Sequence, residues 1–497
     1  MILINSSPKD AARIFQPFMP KYVPIGIGYL AAVMDRDGLK VRIIDEQVED
    51  NTIEKIKEYT NGLTAPYIFG FSVLTASYKI ALETARKVKN IYPHSIIIFG
   101  GPHPSALPEE VLANSQVDIV VKGEGEVILP ELYRRIKSGR DYSDIKGISF
   151  KQITKIVHNE RSTDIIDLDS LPPFPYHMFD EKLGYDMGFI VSSRGCPFNC
   201  IFCSNRVTTG KRYRYRSPEK TIEELNTLWE THHPEMILFL DDNLLVNHKR
   251  VYRLIELIKE KGLHTKTKFS FQARGDNVNY TILQDLYNAG FKSVFFGLET
   301  SSEEIMKVIR KGETVEQCIT AVRMAKEIGY HISATFIYGL PTETHQNRMD
   351  CAALANNLEL DMVRFNNATP YPGTELYDIA KREGRLNVQG VYENFNSVST
   401  FIENPFKTTP FSYVPEGSSE EEIRADIILS YFMFYMDFKK LKRMFTKHDE
   451  GVGWFNLGTD PVIKLKKIAV LPIISFFMIM KFMDMVMFNI GRKTFQK

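Results

Sequence analysis

The chain's fold is constrained most by an alternation of short apolar strands and helices that runs twice along it. In residues 1–150 the segments Ile2–Asn5, Val41–Asp45, Tyr67–Ser72, Ile96–Phe99 and Asp118–Val121 read as strands. Helical spacing runs over Gly26–Asp37, ended by Gly38, and over Tyr78–Lys89. The strands are nearly continuous apolar runs, so both faces are expected to be covered. With helices between them, that pattern predicts an α/β, doubly wound parallel sheet. Such sheets bind ligands at the carboxyl ends of their strands. Here those ends carry Asp45, Ser72, Gly100-Gly101 and Gly123.

The second run occupies residues 188–375, with strands near 188–193, 236–240, 268–273, 293–297, 332–337 and 362–366. Helix starts are marked by Ser217-Pro218 and by Thr300-Ser301-Ser302-Glu303. Six strand–helix units predict a partial (βα)6 barrel of the TIM type, with its reactive groups on the loops after the strands. Residues 151–187 read as a connector, with a hairpin-like piece and the Pro-rich stretch Leu171–Asp180. Residues 376–497 read as a helical cap. It has a helix near 420–445, a Gly-rich passage and an apolar tail at 468–490.

Length and charge narrow the function. At about 150 residues per domain, 497 residues suggest three domains. The 33 Phe and 23 Tyr are spread along the chain, which excludes disorder as its main theme. The net charge of +1 gives no electrostatic case for nucleic acid. The basic and aromatic run Lys211–Arg216 is therefore expected to pair with a ligand carboxylate or with the first domain. The amino terminus lacks a basic segment and a long apolar segment, so a cytoplasmic protein is expected.

The tail, Ile468–Ile490, has 18 Ala, Val, Ile, Leu, Met or Phe in 23 residues. Lys464, Lys466 and Lys467 precede it, and Arg492, Lys493 and Lys497 follow it. Its length suffices to span a bilayer, but Lys481 and Asp484 would be costly at mid-membrane. An interfacial membrane-docking helix is the first expectation; a buried or oligomer-forming helix and a spanning helix are the others. With the aromatic segment Ile428–Phe438, the tail raises a lipidic substrate or work at a membrane surface.

Five cysteines are too few, and odd in number, for a secreted disulfide scaffold. Cys196, Cys200 and Cys203 lie within Ser193-Arg194-Gly195-Cys196-Pro197-Phe198-Asn199-Cys200-Ile201-Phe202-Cys203. A structural zinc site would need a fourth ligand, such as His177 or His232. Three thiolates suit a 4Fe-4S cluster with one iron left open. Cys318 and Cys351 fall in helical stretches and read as packing thiols.

This segment resembles the signature of the radical S-adenosylmethionine superfamily, and the likeness extends over the barrel, residues 188 to about 370. The resemblance implies that Cys196, Cys200 and Cys203 hold the cluster, whose open iron binds the amino and carboxylate groups of S-adenosylmethionine. An electron, from an external donor such as flavodoxin or ferredoxin, then gives methionine and a 5′-deoxyadenosyl radical. Phe202 matches an aromatic position near the adenine. Asp241, Asp242 and Asn243 would help hold the methionine ammonium, or merely cap their loop. Glu299 would face the ligand hydroxyls or a substrate, or pair with Arg274. Gly339 would let the backbone approach the adenosine.

The first domain resembles Rossmann-like cobalamin-binding domains, whose fingerprint is D-x-H-x-x-G, S-x-L and G-G. Ser72-Val73-Leu74 and Gly100-Gly101 match the last two elements; Pro102, His103, Gly123 and Glu124 look like segments of the cobalamin-binding radical subgroup. Gln47 stands where the cobalt-ligating histidine would be, and Asp50 where the glycine would be. A corrin held here would have its lower cobalt face empty or water-bound; a domain that kept the fold and lost the cofactor is the alternative. Together the resemblances imply a cobalamin-dependent radical enzyme that methylates an unactivated carbon or phosphorus of a small or lipidic substrate. A non-methylating radical enzyme (oxidative cyclisation, dehydration or rearrangement) is the alternative, and an iron–sulfur redox or sensor protein a remoter one. No catalytic side chain for the substrate is assigned.

Overall fold

The computed structural model describes residues 1–7, 21–153, 155–162, 166–398, 400, 408–436 and 461–495. The first sheet has seven strands: β1 (Ile2–Asn5), β2 (Arg42–Asp45), β3 (Ile68–Ser72), β4 (Ile96–Gly100), β5 (Ile119–Val121), β6 (Ile148–Gln152) and β7 (Lys155–His158). Their order is β2-β1-β3-β4-β5-β6-β7, parallel through β5 and antiparallel thereafter. The hairpin-like piece expected at the start of the connector is β6–β7 and belongs to this sheet.

Helices cover both faces, as the unbroken apolar strands require. Ile25–Arg36 and Ile128–Lys137 pack against Leu3, Ile98 and Val121. Thr52–Thr60, Tyr78–Ile91 and Pro108–Ala113 pack against Ile4, Phe69 and Phe71. The chain reverses direction across the sheet between β1 and β3, which opens a crevice at their carboxyl ends.

The Pro-rich stretch joins this domain to the next. Phe174 stacks on Phe179 and meets the edges of Tyr176, Phe189 and Tyr29. Gly28 permits this, because a Cβ there would stand 2.2 Å from the Phe174 ring.

The second sheet has six parallel strands: β8 (Phe189–Ile190), β11 (Met236–Phe239), β12 (Lys268–Ala273), β13 (Phe291–Glu299), β14 (His331–Tyr338) and β15 (Met362–Asn367). Two-residue strands β9 (Ser193–Arg194) and β10 (Arg214–Tyr215) form a separate antiparallel ribbon. The large sheet runs in sequence from β8 to β15 without closing, the partial barrel that the six units predict. Its β15 edge is sealed by the helix Glu420–Tyr435. The Tyr431 and Tyr435 hydroxyls accept hydrogen bonds from the amides of Phe365 and Val363, at 3.1 Å each, so that edge is not a free template for pairing.

The helix expected near 420–445 is described as Glu420–Tyr435; the Gly-rich passage lies outside the described residues. The apolar tail belongs to a helix over Pro461–Phe495. Within it Lys464–Phe488 is long and apolar enough to cross a membrane by length and composition.

Candidate active site

A cavity of about 380 Å³ opens at the carboxyl edge of the first sheet. Ser72, Leu74, Gly100, Gly101, Pro102, Gly123 and Glu124 line it. It runs inward between Leu3, Gly70, Ile98 and Val121, on the face covered by Ile25–Arg36. Glycines make this room. A Cβ on Gly70 would come within 2.9 Å of the Leu3 side chain, and one on Gly101 (φ +104°) within 2.8 Å of the Val73 carbonyl oxygen. Gly101 is thus required twice, by its left-handed backbone and by the approach of the β3 loop.

His103 does not join this lining. It is fully buried, tilted against Tyr78 at 4.1 Å and meeting Tyr392 edge-on at 4.8 Å between ring centroids. Burial lowers its pKa to about 3, so it is a neutral packing ring. Gln47 is also turned away: its amide donates to the Tyr22 carbonyl at 3.0 Å. Asp45 accepts from Asn5, from the Gln47 backbone and from the Tyr185 hydroxyl. The loop after β2 is therefore committed to holding the connector.

The far wall of the cavity comes from the barrel, through Val191, Ser193, Arg194, Leu240 and Asp242. Ion pairs fasten the two walls. Arg194 meets Glu124 at 3.1 Å and Glu126 at 2.7 Å. Arg214 clamps both Glu124 oxygens, at 2.7 and 2.8 Å. The run Lys211–Arg216 thus reaches the first domain through Arg214, a bidentate pairing that suits a guanidinium.

Arg194 leads directly into the cysteine loop. All three thiols are free and partly buried, and burial raises each of their pKa values, that of Cys203 to about 11. The loop is pinned at Ile201, which donates to the Ile309 carbonyl and accepts from the Leu376 amide. At Gly195 (φ +83°) a Cβ would stand 2.4 Å from the Arg212 carbonyl oxygen. Of the two histidines named for a zinc site, His232 is engaged elsewhere: it pairs with Glu181 and packs on Tyr176.

Around the thiols the strand-end residues divide into two groups. Asp241 is consumed: it accepts from the Ser192 amide and from the Ser192 and Ser193 hydroxyls, at 2.6–2.7 Å, and so ties β8 to β11. Asn243 caps the Leu245 amide, which leaves its buried Nδ2 without a partner. Asp242 faces the cavity and accepts from Asn205 at 2.5 Å. Burial and Asp241 raise its pKa to about 6. Arg274 is held by both oxygens of Asp276, 2.9 Å each, and lies 3.5 Å over the Phe198 ring, inside the cysteine loop.

Glu299 does not pair with Arg274. Its partner is Lys311 at 2.7 Å, which also donates to the Gly297 carbonyl at 2.9 Å and faces Glu313 at 3.5 Å. Burial acts to lower the lysine pKa, but Glu299 and Glu313 outweigh it and the net shift is upward. This buried cation sits beside Cys200, whose thiol feels it. Sequence reasoning missed Lys311 and Glu313; their signal was the charged triplet Lys311-Gly312-Glu313 in an inter-helix loop at the barrel mouth. Gly339 follows β14 with φ +84° and donates to Glu343 at 2.5 Å. Phe202, half-buried, packs at the edge of the barrel core.

Comparison with known proteins agrees with this geometry. A radical SAM superfamily model matches residues 190–355, and a B12 binding domain model matches residues 18–133. An uncharacterized methyltransferase of Pyrococcus horikoshii is 34% identical over 362 residues, 72% of this chain and 78% of that protein. The chain belongs to the cobalamin-binding radical S-adenosylmethionine family. An anaerobic magnesium-protoporphyrin IX monomethyl ester cyclase of Cereibacter sphaeroides is 26% identical over 427 residues, 83% of this chain and 67% of that protein. The fold is shared with OxsB, a cobalamin-dependent S-adenosylmethionine radical enzyme solved with aqua-cobalamin and S-adenosylmethionine bound. The TM-score is 0.69 at 19% identity, covering 97% of this chain and 71% of that one.

The family's cofactors are cobalamin, a 4Fe-4S cluster and S-adenosylmethionine, and the residues present fit them. The glycine-lined slot between Leu3, Gly70 and Ile98 is space that side chains would fill, as a bulky corrinoid with its tail requires. Cys196, Cys200 and Cys203 would hold the cluster beside two cations, Arg274 and Lys311. Asp242 lies on the wall between the two sites, where its carboxylate would accept from an ammonium group.

Proposed function

We propose that this protein is a cobalamin-dependent radical S-adenosylmethionine methyltransferase acting on an unactivated carbon of a small or lipidic substrate, with electrons from a flavodoxin- or ferredoxin-type donor. One observation carries the reading: the glycine-lined cavity and the cysteine loop share a wall, built by Ser193, Arg194 and Asp242. When bound, the cluster and corrinoid supply reductive opening of one S-adenosylmethionine and methyl transfer from another. The chain's own residues do the rest. Arg194 and Arg214 lock the first domain onto the barrel through Glu124. Asp242 offers a carboxylate at the mouth, and Arg274 and Lys311 balance negative charge near Cys200. The sealed β15 edge and the packed core keep water from that side, which a reactive radical requires.

Anaerobic turnover with methyl-labelled S-adenosylmethionine tests it. Methyl transfer predicts both 5′-deoxyadenosine and S-adenosylhomocysteine, with label in the product. Deoxyadenosine without S-adenosylhomocysteine would instead favour oxidative cyclisation, a reading supported by the cyclase relative. Absence of both, with an intact cluster, would leave a redox or sensor protein.

A further inference from the structure

The terminal helix has two unlike faces. Its inner face packs on the protein: Ile474 and Met485 are buried, and Phe482 meets Phe432 at 4.4 Å. Lys481, a costly residue for a spanning segment, is turned onto this inner face and donates to the Thr400 carbonyl at 2.6 Å. The outer face presents Leu465, Ile473, Phe476, Ile479, Met483 and Met487, all exposed. From Phe476 on they recur at spacings of three, four and four, one stripe of a helix. Asp484 falls at the rim of that stripe by helical spacing, not on its centre.

Charge points to what covers it. The helix Pro461–Phe495 holds six Lys or Arg against one acidic residue, Asp484, although the whole chain carries only +1. Lys464 and Lys466, both exposed, stand at the start of the stripe. Apolar residues beside an excess of cations match the surface of an anionic bilayer. One side of the helix, through residues from Val470 to Val486, packs on the folded domain and is closed to lipid; the outer stripe is open to it.

We propose that the helix Pro461–Phe495 lies in the plane of an anionic lipid surface, with its outer stripe in the headgroup–acyl boundary and its inner face on the protein. The inference stands apart from the reaction proposed above, because it concerns where the enzyme sits. Flotation of the full-length protein with phosphatidylglycerol-containing vesicles tests it, with phosphatidylcholine vesicles as the reference. The expected result is co-flotation with the anionic vesicles only, release by high salt or alkaline carbonate, and about tenfold weaker binding of the double variant Phe476→Glu/Met483→Glu. An unchanged far-ultraviolet spectrum and corrinoid absorption show that this variant folds. Four results would overturn the proposal: no flotation; equal binding to both vesicles; resistance to carbonate, as a spanning helix gives; or a double variant that turns a dimer into a monomer and leaves vesicle binding intact, which assigns the stripe to a second copy.

Discussion

The two α/β regions present their strand ends to each other, yet they are built in opposite ways. The edge of the first sheet works by omission: Gly70, Gly100, Gly101 and Gly123 remove side chains where a large ligand belongs. The barrel mouth works by reactive groups, three free thiols among charges that are nearly all paired. The difference teaches that a bulky, chemically complete cofactor needs room, while a cluster needs ligands and a controlled field. It also predicts that the two sites fail in different ways.

The largest effect is expected at the thiols. Cys200→Ala should abolish cluster assembly and 5′-deoxyadenosine formation, yet leave corrinoid absorption intact, because no cysteine lines the cavity. Iron analysis and visible spectra check both halves. Next is Gly100→Leu. A Cβ there meets only ordinary contacts, nearest 3.8 Å, so the longer side chain enters the cavity without backbone strain. Overfilling a packed site costs about 1–3 kcal/mol, or roughly tenfold to a hundredfold in cobalamin affinity. Iron content should not change.

The clamp between the regions comes third. Glu124→Ala leaves Arg194 with Glu126 and Arg214 without its bidentate partner. Truncating one member of such a pair costs about 2–3 kcal/mol after allowance for its partial exposure. The expected signature is faster hydrogen exchange around Ser193–Arg194 and deoxyadenosine formed without matching methyl transfer. Unchanged exchange and coupling would show that the edges align without it.

The last effect bears on stability rather than on either site and concerns Glu343, buried behind Gly339 beside Arg348. Burial raises its pKa to about 8 from a usual 4.5. The folded state thus keeps a proton that the unfolded chain releases earlier. The stability from this group is fully present below about pH 4.5 and is lost as pH rises through 8. Glu343→Gln should remove that decline, making thermal unfolding less dependent on pH across the window.

What the sequence revealed follows from how local each signal is. Strands such as Ile96–Gly100 carry their burial in consecutive residues, and the cysteine spacing is complete within eight. The pairing of Glu299 with Lys311 was not legible, because its partners sit on different elements and either acid could have met Arg274. Asp241 looked like a ligand for the same reason: its real partners, Ser192 and Ser193, lie 49 and 48 residues away. His103 shares a motif with Gly101 and Pro102, yet the helix Pro102–Ala106 turns it toward Tyr78 and a distant Tyr392. Lys481 read as a penalty until the fold supplied the Thr400 carbonyl.

The central claim is that corrinoid and cluster face each other across one shared wall. Electron paramagnetic resonance of the anaerobic holoenzyme tests it most directly, with cobalt as Co(II) and the cluster reduced. The structure predicts a Co(II) signal broadened by the cluster's spin, returning to its isolated form when Cys200→Ala removes the cluster. An unperturbed Co(II) signal in protein that holds both cofactors in full would contradict it.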